Sequence, residues 1–326
     1  MSLDRTISRR TVFKGAGGLA AASIIGAGAA WSGVTPAHAA GLEVTDHATD
    51  GRMETYTFSS PSFSGVTPPL SPAGSNPHAN VLLPADYASS GKRYPVLYLF
   101  HGGGGNYTQY DRELNIRAMT EGRDLIVVMP DAGVSWHCNP VSARNRKRDW
   151  ETFQIEELIP WVDATFRTFP EQAGRAVSGF SMGGFGALKY TAKYYGHFAS
   201  VSSHSGPASL RSINGAVAHW ANASSTIDLG GGTVYGTPWD EARVSADNPV
   251  ERIESYRGKR IFLVSGTEAF DVNEGFVLPT QREFAAALDR AGIQYERHEE
   301  PGGHFVRRER LQQDIDGVVA HLHKAE

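Results

Sequence analysis

Two short, nearly continuous apolar runs, Tyr94–Phe100 (YPVLYLF) and Asp124–Met129 (DLIVVM), constrain this chain more than any other feature. Residues apolar at successive positions, bounded by polar segments, form strands covered on both faces. Three more strand-like segments follow at Arg175–Phe180, Phe198–Ser203 and Arg260–Ser265, and a last short one at Gln294–His298. Between them lie stretches of helical composition at Tyr107–Glu121, Trp150–Phe166, Met182–Tyr195, Thr280–Ala291 and Arg307–Lys324. Asp149 is placed to cap the second, and Pro160 predicts a kink in it. Strands alternating with helices imply an α/β fold, a mostly parallel central sheet with helices on both faces. Met53–Phe58 and Asn80–Leu83 add two leading strands, while residues 207–247, rich in Ser, Gly, Ala and Asn, read as an insertion above the sheet. No repeat or linker divides residues 40–326, which predicts a single domain. In such sheets chemistry collects at the carboxyl ends of the strands.

The first 39 residues do not belong to that core. Ser8-Arg9-Arg10-Thr11-Val12-Phe13-Lys14 is a twin-arginine sequence, a Gly/Ala-rich apolar stretch runs from Gly15 to Ala30, and Ala37-His38-Ala39 supplies a small-x-small cleavage site. The stretch has too many glycines and too little bulk for a stable membrane span. Residues 1–39 therefore read as a twin-arginine signal peptide of a bacterial, secreted protein, with no stable membrane insertion after cleavage. A net charge of −4 gives no reason to expect nucleic acid as a partner. Cys138 is the single cysteine, so no intrachain disulfide can form, and it reads as a packed residue.

The segments after the strands hold the chemistry. Gly179-Phe180-Ser181-Met182-Gly183 joins a strand to a helix. Glycine two residues before and after the serine permits a sharp turn that lifts the hydroxyl clear of the sheet, facing the first N–H groups of the helix. Ser181 is the candidate nucleophile. After Phe100 comes His101-Gly102-Gly103-Gly104-Gly105, a loop with uncovered N–H groups that lacks the lysine and Ser/Thr of a phosphate loop. Gly103 and Met182 are the candidate oxyanion-hole donors. After Ser265 a loop carries three carboxylates, Glu268, Asp271 and Glu274. Asp271 is preferred as the acid and Glu268 is the alternative, because the acid should stand a few residues beyond the strand. After the last strand, Gly302-Gly303-His304 offers an imidazole able to take and return a proton. His101, Trp150 and His204 are possible site-lining residues. Arg144-Asn145-Arg146-Lys147-Arg148 reads as a solvated basic loop, or as a rim for an acidic substrate.

The order Ser181, Asp271, His304 matches the chain order of alpha/beta hydrolases. YLFHGGGG, VVMPD, WETFQIEELIPW, GFSMGG and GGHF together resemble the putative-esterase family of that fold, over most of residues 80–325. The family includes antigen 85 mycolyltransferases, feruloyl and acetylxylan esterases and S-formylglutathione hydrolases. The stretch from Val127 to Trp161 is most similar to the antigen 85 group. The resemblance implies Ser181 as nucleophile, His304 as base, an acid after Gly266, and Gly103 and Met182 as oxyanion donors. Mycolyltransferases carry an aspartate where this chain has His101, an arginine where it has Gly104 or Gly105, and a tryptophan-bearing segment in place of Phe305-Val306-Arg307-Arg308. Those departures favour water over trehalose as the acyl acceptor. The expectation is a secreted serine carboxylic-ester hydrolase needing no metal or organic cofactor and acting on a small-molecule, glycan or lipid ester. An acyltransferase of the antigen 85 type is the alternative.

Overall fold

The computed structural model describes residues 41–65, 76–143, 146–268 and 270–326. The twin-arginine segment, residues 1–39, lies outside the described residues, as do Arg144 and Asn145 of the basic run.

Nine strands form the main sheet: β1 (Glu43–Asp50), β2 (Met53–Ser59), β3 (His78–Leu82), β4 (Val96–Phe100), β5 (Ile126–Pro130), β6 (Arg175–Phe180), β7 (Ser200–His204), β8 (Arg260–Gly266) and β9 (Glu296–Glu300). Their spatial order is β1-β2-β3-β5-β4-β6-β7-β8-β9. The six from β5 to β9 in that order run parallel, and β1, β2 and β3 extend the sheet antiparallel at one edge.

The helices are α1 (Gln109–Leu114), α2 (Ile116–Met119), α3 (Trp150–Thr152), α4 (Ile159–Thr165), α5 (Met182–Lys193), α6 (Ser212–Leu229), α7 (Glu241–Asp247), α8 (Val272–Ala291) and α9 (Arg308–His321). β4 shows how the pleat distributes them. Val96, Tyr98 and Phe100 enter a core with Trp150, Phe153, Trp161, Leu188, Tyr190, Phe284 and Leu288, so α3, α4, α5 and α8 cover that face. Leu97 and Leu99 enter a second core with Tyr110, Ile116, Met119, Leu311, Ile315 and Val318 from α1, α2 and α9. Successive side chains point to opposite faces, which is why the strand is apolar throughout.

Several boundaries differ from the sequence expectation for identifiable reasons. β1 was not anticipated, because all eight of its residues are exposed and polar residues dominate it. The expected helix over Tyr107–Glu121 is split by Asn115, whose φ of 54° is left-handed. Pro160 perturbs its helix by a wide turn: Phe153–Leu158 is π-helical and α4 begins just before the proline. Widening the coil accommodates a residue with no N–H and a bulky ring. Asp149 sits at the N-cap of α3 but makes no side-chain capping bond; its carboxylate lies 3.5 Å from Lys147. Residues 207–247 hold α6 and α7, and α6 helps build a third apolar cluster with Val134, Trp136, Met182 and Phe185 above the carboxyl ends of the strands. α8 begins at Val272, eight residues before the expected start, with Pro279 inside it.

Buried charges fasten α5. Lys189 is fully buried, and its ammonium lies 2.8 Å from Glu151 and 3.6 Å from Asp247. It also donates to the His137 carbonyl at 2.6 Å. Burial works against its charge, but Asp247 and Glu151 hold its pKa above the usual lysine range. Cys138, also buried, sits 3.2 Å from the same ammonium, and burial pushes its thiol up to about 11.

Candidate active site

Ser181 occupies the turn between β6 and α5 with φ 54° and ψ −119°, a backbone conformation unusual for a residue with a side chain. The surrounding glycines are sterically required. A Cβ on Gly183 would come within 2.3 Å of the Phe100 carbonyl oxygen, and one on Gly179 within 2.4 Å of the Gly183 backbone. The Ser181 N–H donates to the His204 carbonyl at 2.9 Å, and its own carbonyl accepts from Phe185 at 3.0 Å. The turn is thus held between β7 and the first coil of α5.

The Ser181 hydroxyl lies 2.7 Å from His304 Nε2, and His304 Nδ1 lies 2.8 Å from Glu274 Oε2. A carboxylate against Nδ1 keeps the proton on that nitrogen and leaves Nε2 free to accept from the hydroxyl. The other Glu274 oxygen accepts from Ser205 Oγ at 3.1 Å and from the Gly266 N–H. The Glu274 side chain is fully buried, and the imidazole packs against Phe180 at a tilt, with ring centroids 4.9 Å apart.

The carboxylate on the imidazole is therefore neither Asp271 nor Glu268. Asp271 is the N-cap of α8: Oδ1 accepts from the N–H groups of Asn273 at 3.0 Å and Glu274 at 3.1 Å. Its Oδ2 accepts the backbone N–H of His304 at 3.0 Å. Burial opposes ionisation of Asp271, and the N–H groups of Glu274, His304 and Asn273 outweigh it, so its pKa falls below the ordinary carboxylate value. Glu268 is exposed, and its N–H donates to the Gly302 carbonyl. Because α8 starts early, its first turn carries Glu274 back under the strand end. Arg307, which the sequence reading gave no role, sits inside the histidine loop: its Nη2 lies 3.2–3.4 Å from the carbonyl oxygens of Glu300, Pro301, Gly302 and Gly303 and has two hydrogens to share among them.

Gly103 and Met182 stand together beside the serine; a Cβ on Gly103 would lie 4.0 Å from that of Met182. Met182 is the first residue of α5, where N–H groups have no partner within the helix, and Gly103 belongs to the glycine loop after β4. Both border a cavity of about 290 Å³ that opens over Ser181 and His304. Its other walls are Gly104, Val134, Trp136, Phe180, Trp220, Ser224, Ile227 and Asn273.

The family model described as Putative esterase matches residues 71–320 of this sequence. The chain belongs to that esterase family. Two curated relatives from strains of Mycobacterium tuberculosis, Esterase Rv1288 and Esterase MT1326, are each 57% identical over 297 residues. Those matches cover 87% of this chain but 63% of the relatives, so the chain spans under two thirds of their length. Solved structures show the same alpha/beta-hydrolase fold. The Staphylococcus aureus fluorophosphonate-binding serine hydrolase FphF is 18% identical with a TM-score of 0.65, covering 83% of this chain and 99% of its own. Mycobacterium tuberculosis MPT51 is 19% identical with a TM-score of 0.63, covering 80% and 99%.

Within this esterase-family frame, three residues expected to line the site do not. His101 is buried behind the glycine loop, with Nδ1 2.8 Å from the Gly102 carbonyl and Nε2 accepting from the Ala132 N–H at 2.9 Å. Burial lowers its pKa. Trp150 is buried in the core, its indole N–H donating to Asp228 at 2.7 Å. His204 points beneath the sheet, where Nε2 lies 3.1 Å from Asp314. That carboxylate also receives Ser178, Ser202 and Arg260. Two of the described residues of the basic run are held in the structure: Lys147 donates to the Pro61 carbonyl at 2.8 Å, and Arg148 is buried opposite Phe63. Among the described residues, no cluster of three or more His, Cys, Asp or Glu is arranged to hold a metal, and no helix is long and apolar enough to cross a membrane.

Proposed function

We propose that this chain is a serine carboxylic-ester hydrolase working through an acyl-enzyme. The observation carrying the reading is the unbroken line of contacts from Ser181 through His304 to Glu274 on a strained elbow. His304 takes the serine proton as the oxygen attacks the ester carbonyl, and Glu274 steadies the imidazolium that forms. The N–H groups of Gly103 and Met182 receive the developing oxyanion. His304 returns the proton to the departing alcohol, and then activates a water that frees the acid. The chemistry uses protein groups alone. The twin-arginine leader supports export, with residues 40–326 forming one catalytic domain.

Fluorophosphonate labelling followed by peptide mapping tests the nucleophile. The expected result is a single adduct on Ser181 that is absent from Ser181→Ala; a parent that fails to label refutes the reading. The antigen 85 resemblance supports a second outcome, acyl transfer to a sugar or lipid alcohol. Product analysis with an added alcohol separates the two: free acid supports hydrolysis, and predominant new ester supports transfer.

A further inference from the structure

We infer that the ester's acyl group is a saturated aliphatic chain longer than acetyl, seated on the paired indoles of Trp136 and Trp220; this inference rests on the esterase reading above. The cavity over Ser181 is walled mainly by Val134, Trp136, Met182, Trp220 and Ile227. Trp136 and Trp220 meet edge to face with centroids 4.9 Å apart. Trp136 contacts Phe185 on α5, and Trp220 contacts Phe276 on α8, so an aromatic wall joins the helix after the serine to the helix carrying Glu274.

The indole N–H of Trp136 is engaged within that wall. The Trp136 indole N–H donates to Ser224 Oγ at 2.8 Å, and that hydroxyl donates to the Trp220 carbonyl at 2.8 Å. The Trp136 side of the wall therefore offers ring faces and methyl groups rather than hydrogen bonds. A hydroxycinnamoyl group seated against Trp136 would leave its phenol hydroxyl on apolar surface, at the cost of a lost hydrogen bond. An alkyl chain carries no such group. An acetyl group would leave most of a cavity of about 290 Å³ unfilled. The backbone gives a second, independent indication. Trp136 and His137 both have φ 56°, two consecutive non-glycine residues in the left-handed region, and this conformation turns the indole into the cavity. Strain of that kind persists where the surrounding structure enforces it, commonly at functional sites.

The test compares kcat/KM for p-nitrophenyl acetate, p-nitrophenyl octanoate and methyl ferulate, alongside the rates at which a short-alkyl and an octyl fluorophosphonate label Ser181. Burying even two further methylenes is worth about tenfold, so octanoate should exceed acetate by at least that factor, and ferulate should trail octanoate. Trp220→Ala should reduce the octanoate-to-acetate ratio about tenfold or more. Ile227→Asn makes the same test at a half-exposed position at the cavity mouth, where folding is not at stake. Equal rates for octanoate and acetate, a preference for ferulate, or a ratio unmoved by both substitutions would overturn the inference while labelled Ser181 leaves the esterase reading intact. No labelling by either probe would overturn both.

Discussion

Neutralising Glu274 and Asp271 in turn separates two carboxylates that stand three positions apart and do different work. In Glu274→Gln the side chain keeps its shape, but the amide no longer holds the proton on Nδ1 or balances the imidazolium. Loss of the equivalent carboxylate from a serine triad costs on the order of 10⁴ in kcat. We expect a fall of 10³–10⁴-fold here, with little change in KM. Asp271→Asn removes instead a charged acceptor for three backbone N–H groups. Asparagine keeps the α8 cap through its carbonyl oxygen, but its amide replaces the charged oxygen that accepts the His304 N–H and leaves that donor unpaired, at a cost of about 2 kcal/mol. That variant should lose about 2 kcal/mol of stability and roughly tenfold in kcat, through a displaced imidazole. The assay pairs ester hydrolysis with urea unfolding of each protein. Asp271→Asn losing as much activity as Glu274→Gln, with stability unchanged, would refute the assignment and restore Asp271 as the acid.

Further outcomes follow from the buried groups. His137 is buried and neutral, its pKa lowered to about 3 by desolvation, whereas the unfolded chain takes up its proton near 6.5. Stability should therefore fall as pH drops below about 6.5, by about 2 kcal/mol at pH 5, and His137→Gln should flatten that slope in urea titrations. Burial opposes the Asp314 carboxylate, but His204 and Arg260 outweigh it and hold it at about 2. Its contribution is present above about pH 4 and lost as pH falls toward 2, so Asp314→Asn should shorten the acid limb of the stability curve. Gly183→Ala should fail to fold or label, because a Cβ 2.3 Å from the Phe100 carbonyl cannot be accommodated without moving β4; soluble, labelled protein would contradict the elbow geometry.

The parallel part of the sheet was legible because its strands are buried on both faces, and burial leaves a pattern in the residues themselves. The edge strand β1, exposed throughout, leaves no such pattern. The elbow and the terminal histidine were legible because glycines must flank a tight turn. The acid was not, for a physical reason. Pro279 made the helix look as though it began at Thr280, which placed Glu274 in a loop with two competing carboxylates. An Asp271 that caps and a Glu274 one turn inside the helix together mark the true start, but sequence alone does not tell a capping carboxylate from one that reaches a ring. Trp136 and Trp220 lie 84 positions apart in the sequence, and nothing local predicts their meeting.

The helix behind the serine begins Met182-Gly183-Gly184-Phe185-Gly186, a poor start for any isolated helix, since each glycine costs about 1 kcal/mol relative to alanine. Lys189, gripped by Glu151 and Asp247 from separate segments, anchors it from the far end. The turn that carries Ser181 is thus a product of the whole fold rather than of its own sequence. On the esterase reading proposed above, an incompletely assembled chain should carry an ordinary serine, with ester cleavage appearing only once these distant partners are in place.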